Sequence, residues 1–160
     1  MPVVKLRYEI DLAMPIELSA VEDAEVRPVT RGDLASLADL MLEAYRGTID
    51  YEDETYEDAV AEVESFLEDR PLLEHSFLAE VDGATASAVL VTTNRDDPFI
   101  AYVMTHPDHK NRGLGRYLVS VAAASLADGG YDRVALYITE GNVPSEALFR
   151  AVGARLVTEA

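Results

Sequence analysis

The chain contains no cysteine in its 160 residues. That absence excludes a disulfide scaffold, a thiolate zinc site and a cysteine nucleophile. Histidine is almost as scarce: His75, His106 and His109 leave little material for a metal centre, and no metal is expected. Base is scarce relative to acid. Thirteen Lys+Arg face 30 Asp+Glu, a formal net charge of −17, with a pI near 4.3. Phosphate backbones and anionic lipid surfaces need the opposite surplus, so neither nucleic acid nor a membrane is an expected partner. No stretch reaches 18 uninterrupted apolar residues, so no membrane-spanning helix is expected. The N-terminus lacks a charged segment followed by an apolar one. A signal peptide is therefore not expected, and the expected location is the cytoplasm.

What is present is a 49% apolar chain of ordinary domain length, enough for a real core. Its charge is uneven. Residues 1–82 hold 22 acids and 6 bases, net −16; residues 83–160 hold 8 acids and 7 bases, net −1. The second part is thus the one expected to hold an anion.

Val4, Leu6, Tyr8, Ile10 and Leu12 alternate with charged residues, the period of a half-buried strand. Its Lys5, Arg7 and Glu9 are compatible with a protected sheet edge, or with pairing to another subunit. Residues 13–23 read as a connection and 25–29 as a second strand. Thr30, with Asp33 three residues on, marks a helix start. Leu34, Leu37, Ala38, Met41, Ala44 and Tyr45 follow at helical spacing, and Gly47 is a candidate terminator. A second helix carries Ala59, Val60, Val63, Phe66 and Leu67 on one face and stops at Pro71. Strands follow over 75–81 and 85–92, joined at Asp82-Gly83, a strong hairpin signal. Asn94–Pro98 reads as a turn and Phe99–Thr105 as a strand. Further on come a loop at 106–115, a helix ending at Gly129-Gly130, a strand at Arg133–Thr139, a short helix at Pro144–Val152 and a last strand at Arg155–Thr158. The order β-β-α-α-β-β-β-α-β-α-β implies an α/β (α+β) domain with a mixed sheet flanked by about four helices.

The loop at 106–116 carries the strongest chemical signal. Between a strand and a helix start lie Lys110, Arg112, Gly113 and Gly115, with Arg116 in the first helical turn. Helix N-termini present unpaired N–H groups and a positive dipole end, and glycine lets an anion approach the backbone. This is the pattern of a phosphate or pyrophosphate cradle; the plain alternative is a strand-to-helix turn with solvated bases. A Walker loop is excluded because no Gly-Lys-Ser/Thr tripeptide exists. A dinucleotide fingerprint fails at Leu118, where a third glycine is needed.

Pro107-Asp-His-Lys110-Asn-Arg-Gly113-Leu-Gly115 resembles the acyl-CoA signature of the GNAT N-acetyltransferase superfamily, with Lys110 at a position that family fills with Arg or Gln. A second segment, Asn142-Val-Pro-Ser145-Glu-Ala-Leu-Phe149-Arg-Ala-Val-Gly153-Ala, resembles the family's Asn-x-x-Ala/Ser-x-x-Leu-Tyr/Phe-x-x-x-Gly-Phe segment. The resemblance spans residues 24–160 and leaves 1–23 as an N-terminal extension with an extra strand, within one domain of 1–160. It implies a mostly antiparallel twisted sheet and an acetyl-CoA-dependent N-acetyltransferase. The acetyl group would pass directly to a primary amine within a ternary complex. The backbone of Asn111, Arg112, Gly113, Leu114, Gly115 and Arg116 would hold the CoA pyrophosphate, with charge added by Lys110 and Arg112. Met104 and Thr105 would run beside the pantetheine arm, their amides polarising the thioester carbonyl as an oxyanion hole does. Asn142, Ser145 and Phe149 would touch the cofactor near the last helix.

Many relatives place Tyr where Phe149 stands and use its hydroxyl to protonate the leaving thiolate. Here Tyr117, Tyr137 or a water are the alternatives. For the general base, the alternatives are Glu52, Asp53 and Glu54, Tyr45 or Tyr51, and a water relay. The acidic segment Tyr45–Asp58 would wall the acceptor site and favour a cationic small molecule or peptide amine. A homodimer is an expectation of the same resemblance. The alternative function is an acyl-CoA-binding regulatory module without turnover.

Overall fold

In the computed structural model, residues 4–18, 21–46 and 52–157 are described. The strands are β1 (Lys5–Asp11), β2 (Glu25–Pro28), β3 (Phe77–Val81), β4 (Ala84–Asn94), β5 (Asp97–Thr105), β6 (Arg133–Thr139) and β7 (Arg155–Leu156). The helices are α1 (Leu34–Tyr45), α2 (Tyr56–Glu68), α3 (Leu114–Asp128) and α4 (Val143–Ala151). The strands form one sheet in the order β2-β3-β4-β5-β6-β1-β7. Every pairing is antiparallel except β5 with β6. This is the mixed sheet with four flanking helices that the element order implied, and the mostly antiparallel pairing that the family resemblance implied.

Local chemistry sets the helix starts. Thr30 and Asp33 form a reciprocal capping box around a single 3-10 turn that leads into α1. Thr55 and Asp58 do the same for α2, which commits the Asp58 carboxylate to the helix start. Gly47, Asp50 and Tyr51 lie outside the described residues. Gly129 caps α3, and Gly130, at φ +90°, turns the chain out of it.

The helices bury opposite faces of the sheet. Leu37, Leu40 and Met41 of α1 and Val63, Phe66 and Leu67 of α2 pack on Leu78, Ala88, Leu90 and Met104. On the other face, Leu114, Leu118, Val119, Ala122 and Leu126 of α3 and Phe149 of α4 pack on Tyr8, Ile10, Val89, Val91 and Leu136. Most of α3's packed positions are aliphatic or small, which lets the helix approach the strands closely.

Two hairpins are two-residue turns with both central residues left-handed: Asp82-Gly83 (φ 52° and 79°) and Arg95-Asp96 (φ 52° and 69°). The second lies one step inside the expected 94–98 turn and lets β5 begin at Asp97 rather than Phe99.

The N-terminal strand departs from its expected place. β1 is not an edge: it pairs with β6 along its whole length, Lys5↔Thr139 to Asp11↔Arg133, and with β7 at Tyr8↔Leu156 and Glu9↔Arg155. Its apolar side explains why, since Tyr8, Ile10 and Leu12 are buried beneath α3 and α4. Residues 12–18 and 21–24 then lie on the α3 face as a strap, with Ile16, Val21 and Ala24 packed on that core.

Strand β5 is irregular in two ways. Leu90 pairs with Tyr102 but Val91 pairs with Ile100, so Ala101 is an extra residue, a β-bulge. The bulge places Ala101 and Tyr102 both on the α1/α2 face, while Val103 returns to the α3 face. Moreover, β5 and β6 pair only at Phe99↔Ala135 and Ile100↔Leu136. Past that point the two parallel strands part, and β5 continues to Thr105 without β6 beside it.

Arg27 of β2 ties the sheet edge to α1. Its guanidinium contacts Asp33 at 2.7 Å and Glu80 at 2.9 Å. Hydrogen bonding to Arg27 lowers the Asp33 carboxyl from 3.8 to about 2 despite its burial. A carboxyl depressed on folding stabilises the fold above its unfolded pKa, and that stabilisation is lost as pH falls through the folded value. Between pH 4 and 2 the wild type is therefore expected to lose on the order of 1–2 kcal/mol through this group, after allowance for the half-exposed partner. Asp33→Asn should be less stable at pH 7 and show a shallower acid limb in urea titrations; parallel limbs would contradict this assignment.

Candidate functional site

The site is built where β5 leaves β6. After Thr105, the His106 N–H donates to the Ala86 carbonyl at 2.8 Å. Pro107–His109 then forms one 3-10 turn, closed by His109 N–H to His106 O at 2.9 Å. Asn111 (φ 65°) and Gly113 (φ 82°) adopt left-handed backbone, and α3 starts at Leu114. Alternation of left- and right-handed residues curls main-chain N–H groups toward one side. Among the described residues, the N–H groups of Asn111, Arg112, Gly113, Leu114, Gly115 and Arg116 have no recorded intramolecular acceptor. Six unpaired donors at the positive end of a 15-residue helix have the geometry and charge that an anion site requires.

The neighbouring side chains sort by role. Lys110, Arg112 and Arg116 are exposed around these donors. Arg112 donates to Nδ1 of His109 at 2.9 Å, which fixes that ring nitrogen as an acceptor because a guanidinium has no lone pair to offer. Leu114 is buried in the core, so only its backbone faces the donors. Gly115 serves packing: a Cβ there would lie 3.0 Å from Leu148 Cδ1 and 3.3 Å from Thr105 Oγ1. At Gly113 a Cβ would meet only Val21 Cγ2, at an ordinary 3.9 Å, and the constraint is its left-handed φ instead.

Met104 is buried under α1 and α2, and its carbonyl accepts the Ser87 hydroxyl at 2.7 Å. Ser87 also meets Thr105 Oγ1 at 2.9 Å, on the α3 side. Ser87 is fully buried and pins the end of β5. An isolated serine in an apolar strand carries no pattern from which this role is readable. At α4, Asn142 Oδ1 accepts the Ser145 N–H at 3.3 Å, so these two residues cap the helix. Phe149 lies in the core.

On the opposite face of the sheet, Tyr137 of β6 is half exposed and tilts against Phe99 at 5.3 Å between ring centroids. Tyr102 extends from the bulge, and its hydroxyl donates to Glu62 of α2. Burial, then the Glu62 carboxylate, pushes the Tyr102 phenol well above its ordinary range, with Tyr45 adding to the effect. The Glu52 N–H donates to the Glu54 carboxylate at 2.8 Å, and no recorded contact joins Glu52 to Thr105 or Tyr137 among the described residues. The Glu62–Tyr102 pair was not among the sequence candidates, because the bulge that aims Tyr102 leaves no trace in the alternation.

Acid also reaches the donor side. A cavity of about 360 Å³ beside α3 is lined by Arg112, Gly113, Arg116, Tyr117 and Ser120 together with Glu17, Val21 and Glu22 of the strap. Among the described residues, no group of three or more His, Asp or Glu side chains is arranged to hold a metal, and no helix is long and apolar enough to cross a membrane.

Comparison with known proteins gives a consistent picture. The model of the Acetyltransferase (GNAT) family matches residues 34–154. No curated protein sequence matches significantly. Among solved structures, a GCN5-related N-acetyltransferase from Sphaerobacter thermophilus superposes with TM-score 0.77 at 19% identity, over 96% of this chain and 48% of that one. The ribosomal-protein-S18-alanine N-acetyltransferase from Escherichia coli gives 0.67 at 16% identity, over 86% and 96%. The PaiA N-acetyltransferase from Thermoplasma acidophilum, solved in complex with coenzyme A, gives 0.68 at 17%, over 86% and 92%. The chain thus spans about half the length of the Sphaerobacter protein and nearly all of the other two.

Packing at Gly115 gives a direct test of the helix–strand approach. Gly115→Val should cost about 1–3 kcal/mol, as overpacking at a tight contact does. Chemical denaturation should show a lowered midpoint with an unchanged slope; an unaltered midpoint would mean Leu148 and Thr105 yield freely.

Proposed function

The chain belongs to the acetyltransferase (GNAT) family, and we propose that it transfers an acetyl group from acetyl-CoA to a primary amine of a cationic acceptor. Transfer is direct, within a ternary complex. The observation that carries this reading is the set of six unpaired N–H groups at the end of a strand that has parted from its neighbour. A pyrophosphate needs such a donor set, and a linear thiol arm needs a slot of open strand edge beside it.

Bound there, acetyl-CoA supplies a thioester whose thiol, of ordinary pKa about 8.5, leaves readily near neutral pH. The backbone from Asn111 to Arg116 holds the pyrophosphate, and Lys110, Arg112 and Arg116 add charge. The open β5 edge from Ala101 to Thr105 orients the pantetheine arm, with the Thr105 main-chain N–H, on the side away from β4, polarising the carbonyl. Ser87 fixes that edge through Thr105 and the Met104 carbonyl. Asn142 and Ser145 position the start of α4 beside the arm, and Phe149 supports it from the core. The acceptor approaches from the α1/α2 face, past Tyr137 and Phe99. There the acids of Glu52–Glu54 and α2 raise the local concentration of cations. A cytoplasmic location and a homodimer belong to the same proposal, on family resemblance.

One observation favours a second reading. Phe149 offers no hydroxyl to a leaving thiolate, as an acyl-CoA-binding module without turnover would tolerate. A thiol-release assay across polyamines, amino acids, aminoglycosides and N-terminal peptides separates the two. Release above hydrolysis with at least one cationic amine is expected. No release with any amine leaves the binding module. Gly113→Trp should weaken acetyl-CoA binding about tenfold or more by calorimetry, and Arg112→Glu with Arg116→Glu should do the same without backbone strain. Unchanged affinity in both folded variants would remove the cradle assignment.

A further inference from the structure

Tyr102, packed against the α1/α2 core, and Glu62 form a polar pair on the proposed acceptor face, away from the cradle. Tyr102 sits just past the last β5–β6 pair, and the Ala101 bulge turns it toward the α1/α2 face. Its hydroxyl donates to one Glu62 oxygen. Among the described residues the other oxygen has no recorded partner, and no Lys, Arg or His pairs with Glu62. Helix α2 carries no base at all: its charged residues are Glu57, Asp58, Glu62, Glu64 and Glu68. Asp58 is held in the capping box, so Glu62 is the carboxylate of that helix anchored toward the parted strands. Tyr102, the partner of Glu62, also feels the phenol of Tyr45.

Distance decides what this carboxylate does. The reacting amine must meet the thioester against the β5 backbone. Glu62 stands off from that backbone by the full length of the Tyr102 side chain. That standoff suits a second group on the acceptor better than the reacting nitrogen, which must lie against the strand. An exposed carboxylate with one oxygen anchored and one open favours a cation with N–H donors.

We propose that Glu62, oriented by Tyr102, binds a second ammonium group of the acceptor, one tyrosine length from the amine that is acetylated. The acceptor class is thus a diamine or longer polyamine-like cation rather than a monoamine. This rests on the acetyl-transfer reading for its geometry. In the transfer itself, the uncharged reacting amine forms the N–C bond to the acetyl carbon, and the C–S bond breaks with its electron pair on sulfur. The amine's surplus proton leaves to solvent or to the thiolate, while the distal ammonium stays charged on Glu62 throughout.

The test compares 1,4-diaminobutane with n-butylamine, and then a series of α,ω-diamines of increasing length. The wild type should prefer the diamine by roughly three- to thirtyfold in kcat/KM, the range for a charged hydrogen bond at a partly exposed site. The length series should show an optimum. Glu62→Gln keeps an acceptor for the Tyr102 hydroxyl and loses only the charge; its diamine preference should collapse toward unity, mainly through KM. Tyr102→Phe should lower the preference less. A preference unchanged in Glu62→Gln, or absent in the wild type, overturns the proposal. Calorimetry of 1,4-diaminobutane on the CoA-saturated protein decides independently of turnover. Weaker binding to Glu62→Gln supports the site even if no amine is acetylated, in which case the acetyl-transfer reading alone fails. Equal binding overturns the site whatever the kinetics.

Discussion

Two parallel strands that hydrogen-bond at only two register positions and then separate impose a cost that everything around them must meet. Beyond Ile100 and Leu136, β5 has lost its neighbour on one side, and backbone polar groups left dry are expensive. The fold holds the strands apart on purpose. The Ala101 bulge strengthens the local twist of β5. On the other side, β1 occupies the far edge of β6 along its whole length, so β6 stays in the sheet without β5. Ser87 then fixes the free end of β5 from within the core. The opened edge is kept in a shape that water or an extended ligand can satisfy.

The same parting divides the chemistry between two faces. Because the bulge moves Tyr102 to the α1/α2 face and leaves Val103 and Thr105 facing α3, one short strand serves both. The donor side gathers main-chain N–H groups at the start of α3. The opposite side gathers Tyr102, Glu62, Phe99 and Tyr137. A linear donor and a separate acceptor reaching a common slot from two directions is the arrangement that direct transfer needs, since the reacting atoms must be held together without a covalent relay.

Much of this was legible in the residues and some was not, for definite reasons. Period-two alternation exposed β1, Thr30 and Asp33 exposed the start of α1, and Asp82-Gly83 exposed the first hairpin, because each is a local signal with a local cause. Lys110, Arg112, Gly113 and Gly115 marked the turn at the start of α3 where N–H groups stand unpaired, since backbone donors exposed for the proposed cradle need small residues and bases close in sequence. The place of β1 was hidden. Its Lys5, Arg7 and Glu9 look like edge protection, yet they face the open side of an interior strand whose other side carries Tyr8 and Ile10. The bulge at Ala101 was hidden too. Phe99 to Met104 is apolar on both faces, so one extra residue shifts the register without disturbing any pattern of polarity. With the bulge went Tyr102, and with Tyr102 went Glu62.

The division of charge along the chain also means something different in space. Counting by sequence puts the acid before residue 83 and the cradle after it, as if they were separate. The strap returns Glu17 and Glu22 to the wall of the cavity that Arg112 and Arg116 share. A polyanion approaching this end thus meets both signs, within a protein of net charge −17. Net charge acts at long range and is screened beyond about 8 Å at physiological salt. The six N–H groups act only at hydrogen-bond distance, where screening is weak. Recognition built that way would reject anions that cannot reach into the backbone and admit one that can, which reconciles the proposed phosphate site with a strongly acidic chain. The acid that repels at a distance is then free to serve the other face, where the acceptor proposed above is a cation.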